Sequence, residues 1–173
     1  MTKKEFLNAV SNGKIDVLQI LLDAMSDKGV DYCVIGGLAV NAYAEPVVSL
    51  DLDIVVTAED IETVCHEVEH QFKIQRFAHS INLSSGESDL RVQLQTDSRY
   101  QAFISRAKIY NVLGYEMKVA EMEDVLQGKI WAYSDEQRRM SKRQKDLADI
   151  LRLVETYPSL IDRLPDTIRQ IIK

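Results

Sequence analysis

Two aspartates, Asp51 and Asp53, alternate with apolar residues in the run 50–56. A period of two is typical of a β-strand, so we expect both carboxylates on one face of the strand and Leu52 and Ile54 on the other. Adjacent carboxylates repel each other unless a cation lies between them, and oxygen ligands of this kind suit Mg²⁺. The pair therefore predicts a metal site, although two acids on an antiparallel sheet can also simply face water.

A pair of glycines, Gly36 and Gly37, ends the apolar run that begins at Tyr32. We predict a buried strand up to these glycines and a short helix over 38–44 after them. A glycine turn that opens a helix lets backbone N–H groups approach a phosphate. Together with the carboxylate pair, this turn predicts a site for a nucleoside triphosphate. The glycines do not have the G-x-G-x-x-G spacing, so a Rossmann dinucleotide site is a poor match.

The segment 66–70 matches the H-E-x-x-H pattern of zinc proteases. On a helix with 100° per residue, however, its apolar residues form a stripe that leaves His66 and His70 on the opposite side. A protease needs both histidines facing a cleft, together with a third ligand. We therefore predict that these histidines face solvent.

The segment 138–145 is a dense basic patch in an acidic chain. It is either a solvated loop and helix start or a contact for the phosphates of a nucleotide or an RNA acceptor. Asp146 and Asp149 follow it one helical turn apart, where they can pair with nearby lysines and arginines.

The composition is that of an ordinary folded domain of 173 residues with a net charge of −6. The charge counts against a general affinity for nucleic acid but leaves room for a local basic groove. No apolar run approaches the roughly 20 residues of a membrane span, so we expect no membrane association. Cys33 and Cys65 fit no metal spacing and are expected to be reduced, buried thiols in a cytoplasmic protein.

Hydrophobic periodicity predicts an α+β fold with a mixed β-sheet flanked by helices. The predicted helices before residue 121 span 15–25, 57–71 and 99–106, and the predicted strands span 32–35, 50–56 and 89–95. Residues 72–83 are expected to be extended, and a hairpin is expected near Gly114. From residue 121 onward we predict helices over 122–133, 142–156 and 159–172.

The order of apolar strand, Gly36-Gly37, short helix and Asp51-Leu52-Asp53 resembles the signature of the nucleotidyltransferase superfamily that includes DNA polymerase beta. Lys129 and the K-D-x-x-D pattern at 145–149 resemble the minimal and abortive-infection toxin-type branch. The resemblance implies a nucleotidyltransferase core over residues 1–120 and a helical C-terminal subdomain, residues 121–173, packed on it.

The resemblance also implies an activity, the Mg²⁺-dependent transfer of a nucleoside monophosphate from an NTP to an acceptor hydroxyl. In the family, two Mg²⁺ ions are held by the paired aspartates and by a third carboxylate on a neighbouring strand. Asp89 is the candidate third acid, and Gln93 is the alternative occupant of that position. The residues expected at the nucleotide are Gly36, Gly37, Ser49, Lys129 and Lys145.

The sequence departs from the family pattern in two places. The branch often carries R-x-T-x-D-x-D, whereas here Val47 stands in place of the arginine and Ser49 keeps only the hydroxyl. The middle of the strand 89–95 is Gln93, which can offer an oxygen to a metal but cannot neutralise charge. These departures support a second hypothesis, a catalytically degenerate binding or antitoxin-like module with a protein partner. The acceptor stays open between RNA, a protein and a small molecule.

Overall fold

A computed structural model describes residues 1–172 and shows an α+β fold built on one seven-stranded mixed sheet. The strands are β1 (Tyr32–Ile35), β2 (Asp51–Val56), β3 (Lys73–Arg76), β4 (Ser80–Ser85), β5 (Ser88–Gln95), β6 (Lys108–Val112) and β7 (Tyr115–Val119). The predicted fold class is confirmed. Within the described residues, no helix is long and apolar enough to cross a membrane.

The strand order β3-β4-β5-β2-β1-β7-β6 places β2 at the centre of the sheet. β2 runs parallel to β5 and antiparallel to β1, and β1 in turn pairs with β7 in parallel. The other neighbouring strands are antiparallel. The carboxylate-bearing strand is therefore held on both sides by backbone hydrogen bonds, which gives its side chains fixed positions.

The helices are α1 (Lys3–Val10), α2 (Val17–Asp27), α3 (Gly36–Val40), α4 (Ile61–Val68), α5 (Gln101–Ile104), α6 (Met122–Ser134), α7 (Met140–Thr156) and α8 (Asp166–Arg169). α2 packs on α4 and β5, and α3 packs on β2, α6 and α7. Side chains at every second position of β5, such as Leu90, Val92 and Leu94, are buried because they face the apolar core under α2.

Four of the predicted helices differ from the structure. The short helix predicted over 38–44 begins at Gly36 and ends at Val40, because the chain continues as a turn from Asn41. The helix predicted over 57–71 is shorter and begins at Ile61, because residues 57–60 form a turn in which Thr57 bonds to Asp60 rather than to a helical N–H. The helix predicted over 159–172 is a 3₁₀ helix, Pro158–Arg163, followed by the single turn α8. Pro165 separates these two pieces because it cannot continue the helical hydrogen bonds. Residues 99–106 likewise form a 3₁₀ turn and the short α5.

The helices α6 and α7 pack against each other and against α3. This is the part of the chain for which we predict a helical C-terminal subdomain packed on the core, over residues 121–173, and its last residue lies outside the described range. The contact with α3 matters for the site because it brings α7 next to the strand that carries the aspartates.

Candidate active site

The two aspartates lie at the start of the central strand β2, as the alternation predicts. Asp51 and Asp53 are partly buried, whereas Leu52 and Ile54 between and after them are fully buried on the opposite face. Because β1 is antiparallel to β2, its last residue, Ile35, pairs with Asp53. The pairing brings the glycine turn that follows β1 directly beside the second carboxylate.

The glycine turn is shaped by this approach. Gly36 has a positive φ of 74°, and a Cβ placed on it would collide with Oδ2 of Asp53. A Cβ on Gly37 would lie 3.5 Å from Oδ2 of Asp149 on α7. A residue without a side chain is therefore required at position 36 by both the backbone conformation and the adjacent carboxylate.

Asp51 is surrounded by cations. Its Oδ1 accepts a hydrogen bond of 2.7 Å from Nε of Arg91, and its Oδ2 accepts one of 3.1 Å from Nζ of Lys142. The ammonium of Lys145 lies 3.7 Å from the same Oδ2. Burial raises the pKa of Asp51, but Lys142 and Arg91 outweigh it, so the pKa lies below its ordinary value. Asp51 is therefore an ionised carboxylate held by groups that also attract phosphate.

Asp53 has the opposite environment. Within residues 1–172 its carboxylate makes no hydrogen bond or ion pair, and burial raises its pKa. The more distant Lys129 opposes this rise in pKa, whereas the neighbouring Asp51 adds to it. A carboxylate that is desolvated without a partner is costly. Asp53 is thus the group in the site that lacks a counter-charge.

The third-acid position is occupied by a glutamine. In the parallel pairing of β2 with β5, Arg91 lies opposite Asp51 and Gln93 lies opposite Asp53. Asp89 lies four residues earlier on β5, about 13 Å along the strand, and is exposed. Its carboxylate accepts a hydrogen bond of 2.5 Å from the amide of Asn12. The structure does not bring Asp89 to the pair, because the register of β2 and β5 fixes Gln93 there.

Lys129 lies in a buried ion network and is only 6% exposed. Its Nζ is 2.9 Å from Oδ1 of Asp146 and 2.7 Å from Oδ2 of Asp149. Burial lowers the pKa of Lys129, but the two carboxylates more than offset this, and its pKa is raised. The K-D-x-x-D pattern thus ties α6 to α7, as expected for carboxylates that pair with nearby cations.

The same network has two further cations on its outer side. Arg138 lies 2.7 Å from Asp146, and Arg152 lies 2.8 Å from Asp149. Both buried carboxylates are therefore bridged between Lys129 and an arginine. Lys129 lies at the wall of the site. Its ammonium is already shared between Asp146 and Asp149.

The basic segment 138–145 contributes side chains to the site rather than forming only a solvated loop. Lys142 and Lys145 lie one turn apart on α7 and both point at Asp51, and Nζ of Lys145 also donates to Oγ of Ser49 at 3.2 Å. The sequence predicts this segment as a candidate phosphate contact but singles out only Lys145 from it, and it does not single out Arg91 on β5. The helical spacing of Lys142, Lys145, Asp146 and Asp149 was a signal that could have identified Lys142. Arg91 could be identified only from the strand register.

These side chains line a cavity of about 420 Å³. Its floor is the polar face of β2, β5, β4 and β3, and one wall is the start of α7. The lining includes Gly37, Ser49 and both aspartates, together with five cationic side chains and the paired Asp146. A second cavity, of about 450 Å³, lies between α2 and the β6–β7 hairpin and is not lined by two carboxylates from one strand. We therefore place the candidate site in the cavity that contains Asp51 and Asp53.

The remaining motifs are structural or solvent-exposed. His66 and His70 are 77% and 85% exposed, and within residues 1–172 no cluster of three or more metal-ligating side chains occurs. The prediction that these histidines face solvent is confirmed. Cys33 and Cys65 are buried free thiols, and burial raises the pKa of Cys33 to about 12.

Comparison of the structure with solved proteins identifies the fold. The structure superposes on the antibiotic-resistance factor ANT(2")-Ia, solved in complex with adenylyl-2"-tobramycin, with a TM-score of 0.65 at 14% identity over 91% of this chain and 97% of that one. It also superposes on the lincosamide antibiotic adenylyltransferase LnuA, with a TM-score of 0.57 at 15% identity over 82% and 99% of the two chains. A nucleotidyltransferase-like protein from Paracoccidioides brasiliensis matches with a TM-score of 0.52 at 18% identity, over 98% and 94%.

The chain therefore has the fold of the nucleotidyltransferases, as the sequence resemblance implies. No protein-family model matches the sequence, and no curated protein sequence matches it significantly. At such low identities the comparisons define the fold alone, so the activity has to be argued from the site itself.

Proposed function

We propose that this protein binds an NTP with a divalent cation and transfers the nucleoside monophosphate to an acceptor hydroxyl. The observation that carries the proposal is the convergence, in one cavity, of the carboxylate pair with Ser49 and the two lysines of α7. Carboxylates suit a divalent cation and ammonium groups suit a triphosphate. The neighbouring folds include antibiotic adenylyltransferases, which supports this class of reaction.

The donor set fits one divalent cation. The carboxylate of Asp53 lacks a counter-charge and lies beside Asp51. The amide oxygen of Gln93, opposite Asp53, is the third oxygen ligand. When bound there, Mg²⁺ would supply charge neutralisation for the triphosphate and for the acceptor oxygen. The second ion implied by the family pattern would need a third carboxylate, and Gln93 cannot provide its charge.

In the proposed reaction, Lys142, Lys145 and Ser49 bind the triphosphate beside Gly37. The acceptor oxygen bonds to the α-phosphorus while the bond from that phosphorus to the pyrophosphate oxygen breaks. Pyrophosphate leaves with the electron pair, and the hydroxyl proton passes to water because Gln93 has no basic oxygen. Arg91 and Lys142 form ion pairs with Asp51 in the structure. In the proposed reaction they bind phosphate in place of that carboxylate.

The test is a calorimetric titration with a non-hydrolysable ATP analogue in Mg²⁺ and then in EDTA. With Mg²⁺ we expect a Kd in the micromolar range, which corresponds to a binding free energy of about −8 kcal/mol. In EDTA we expect binding to be lost. Asp53→Asn should abolish the Mg²⁺-dependent binding of the analogue. Because the Asp89 carboxylate lies outside the cavity, Asp89→Asn should bind the analogue like the unmodified protein. Equal binding with Mg²⁺ and EDTA would contradict the proposal.

Two observations favour a second function, a nucleotidyltransferase-fold module that does not catalyse transfer. Gln93 replaces the third acid, and Asp51 is already neutralised by three cations. Such a module would bind nucleotide without a requirement for Mg²⁺ and would act through a protein partner. The same titration separates the two functions, because only the enzyme loses its nucleotide in EDTA.

A further inference from the structure

A row of uncharged amides runs across the sheet from Asp53 to the edge strand β3. Gln93 on β5 lies opposite Asp53, Asn82 on β4 lies opposite Gln93, and Gln75 on β3 lies opposite Asn82. We call Gln75, Asn82 and Gln93 the amide row. Neighbouring strands are about 4.8 Å apart, so the row extends about 14 Å from Asp53 to the edge of the sheet.

The amide row is open to the cavity. All three side chains line it, and within residues 1–172 none of the three makes a hydrogen bond. Each amide offers two N–H donors and one carbonyl acceptor. A strip of this kind satisfies a ligand that both donates and accepts hydrogen bonds at regular intervals, as hydroxyl groups do.

Apart from Arg91, which is next to Gln93 on β5, the charged residues of the cavity lie on β2, α6, α7 and the segment before α7, at the Asp53 end of the amide row. Two of the cations, Lys142 and Lys145, lie on α7 near Ser49, and Arg91 is paired with Asp51. Among the lining residues that the structure describes, the only acid without a cationic partner is Asp53. The end of the cavity over β3 and β4 therefore has no free carboxylate to bind a polycationic acceptor.

The lining also lacks the features of a single-stranded RNA site. No aromatic side chain occurs among the described residues that line the cavity. Proteins that bind single strands combine such rings with a continuous basic groove, and here the cations are concentrated at the proposed triphosphate end.

We infer that the acceptor is an uncharged, hydroxyl-rich small molecule whose reacting hydroxyl lies at Asp53 and whose other hydroxyls lie along the amide row. This inference rests on the proposed function. The reacting oxygen bonds to the α-phosphorus of the NTP as pyrophosphate leaves, and the remaining hydroxyls bind to Gln75 and Asn82.

The experiment measures transfer of label from α-labelled ATP with Mg²⁺ to three kinds of probe. The uncharged probes are sorbitol, maltose and maltotriose, the polycation is kanamycin, and the polyanion is a hexa-adenylate RNA. We expect labelling of at least one uncharged probe, at a higher rate than kanamycin or RNA. Preferential labelling of kanamycin or RNA would overturn the inference.

Variants of the row test its role in positioning the acceptor. Gln75→Ala and Asn82→Ala should each raise the KM for the labelled probe about five-fold, the loss expected for one hydrogen bond, and leave ATP-analogue binding unchanged. Gln71→Ala removes an exposed amide outside the cavity and is the matched control. Asn82→Asp should increase labelling of kanamycin because it adds a free carboxylate. An unchanged KM in both alanine variants would overturn the inference.

The failure of this inference and the failure of the proposed function give different results. If the ATP analogue binds with Mg²⁺ but no uncharged probe is labelled, the acceptor class is wrong and the nucleotide site stands. If the analogue does not bind, the proposed function itself is wrong.

Discussion

Asp51 and Asp53 are chemically alike and only two residues apart, yet their surroundings move their pKa values in opposite directions. Arg91 and Lys142 lower the pKa of Asp51, whereas burial without a partner raises that of Asp53. The difference arises because Asp51 is at the end of β2 nearer to α7 and Asp53 is beside the glycine turn. This arrangement keeps Asp51 charged and leaves Asp53 without a bonded counter-ion.

Gly36→Ala should destabilise the protein by about 3 kcal/mol. The positive φ of Gly36 costs roughly 1 kcal/mol with a side chain, and the new Cβ would also collide with Asp53. Chemical denaturation measures the free energy of unfolding.

Two other glycines provide matched controls for that prediction. Gly29 has a φ of 62° and free space around it, so Gly29→Ala should lose only the backbone contribution. Gly86 has free space and no positive φ, and Gly86→Ala should change stability by less than about 0.5 kcal/mol. Equal losses at positions 36 and 29 would contradict the collision with Asp53.

Gln93→Glu should increase the affinity of the site for Mg²⁺ about ten-fold, or about 1.4 kcal/mol. The substitution is isosteric and adds a charge opposite Asp53, where the register places it. The metal-free protein should become less stable because like charges are brought together. Calorimetric Mg²⁺ titration and thermal unfolding check the two effects.

Gln95→Glu is the control for the change at position 93. Gln95 lies two residues after Gln93, on the same face of β5, and is opposite the apolar Val55. We expect no change in Mg²⁺ affinity in this variant. A gain of equal size at position 95 would show that the effect is general electrostatics rather than ligation.

At the scale of elements, α6 and α7 are joined by charge as well as by apolar packing. Lys129 on α6 lies between Asp146 and Asp149, which are both 5% exposed or less. Because the network positions α7, it also positions the lysines that reach Asp51. The K-D-x-x-D pattern therefore supports the site through the placement of a helix.

Lys129→Met should lower the free energy of unfolding by about 3 kcal/mol. Removing one partner of a buried ion pair leaves the other charges desolvated, although Arg138 and Arg152 still neutralise one oxygen of each acid. Denaturant unfolding is the measurement. Lys118→Met, which removes an exposed ion pair with Asp31, should cost less than about 1 kcal/mol, and a similar loss in both variants would contradict the prediction.

At the scale of the whole molecule, the site is formed where the centre of the sheet meets a helix from the end of the chain. Asp51 and Lys142 are 91 residues apart in sequence and joined by a hydrogen bond of 3.1 Å. Ligand binding at this junction should stabilise the complete fold, because both parts of the site exist only when the sheet and α7 are packed.

An ATP analogue with Mg²⁺, at about 100 times its Kd, should stabilise the folded protein by about 2.7 kcal/mol and raise the Tm by roughly 5 to 10 °C. Differential scanning calorimetry measures the shift. Addition of EDTA should return the Tm to that of the free protein. A shift that persists in EDTA would support the non-catalytic module instead of the enzyme.

The sequence by itself predicted β1, β2 and β5, an extended stretch that contains β3 and part of β4, and the hairpin of β6 and β7. It also predicted the face shared by Asp51 and Asp53 and the resemblance to nucleotidyltransferases. Strand periodicity and the glycine pair are local signals, because side-chain direction and positive φ depend on a few neighbouring residues. The exposure of His66 and His70 followed from the same local periodicity.

Only the tertiary structure decided which residues meet. The register of β5 against β2 placed Gln93, and not Asp89, opposite Asp53, and the packing of α7 brought Lys142 to Asp51. A strand pattern fixes which residues share a face but does not fix which pairs lie opposite, because a shift of two residues preserves the alternation. The amide row is likewise invisible in the sequence, since its three members lie on three separate strands.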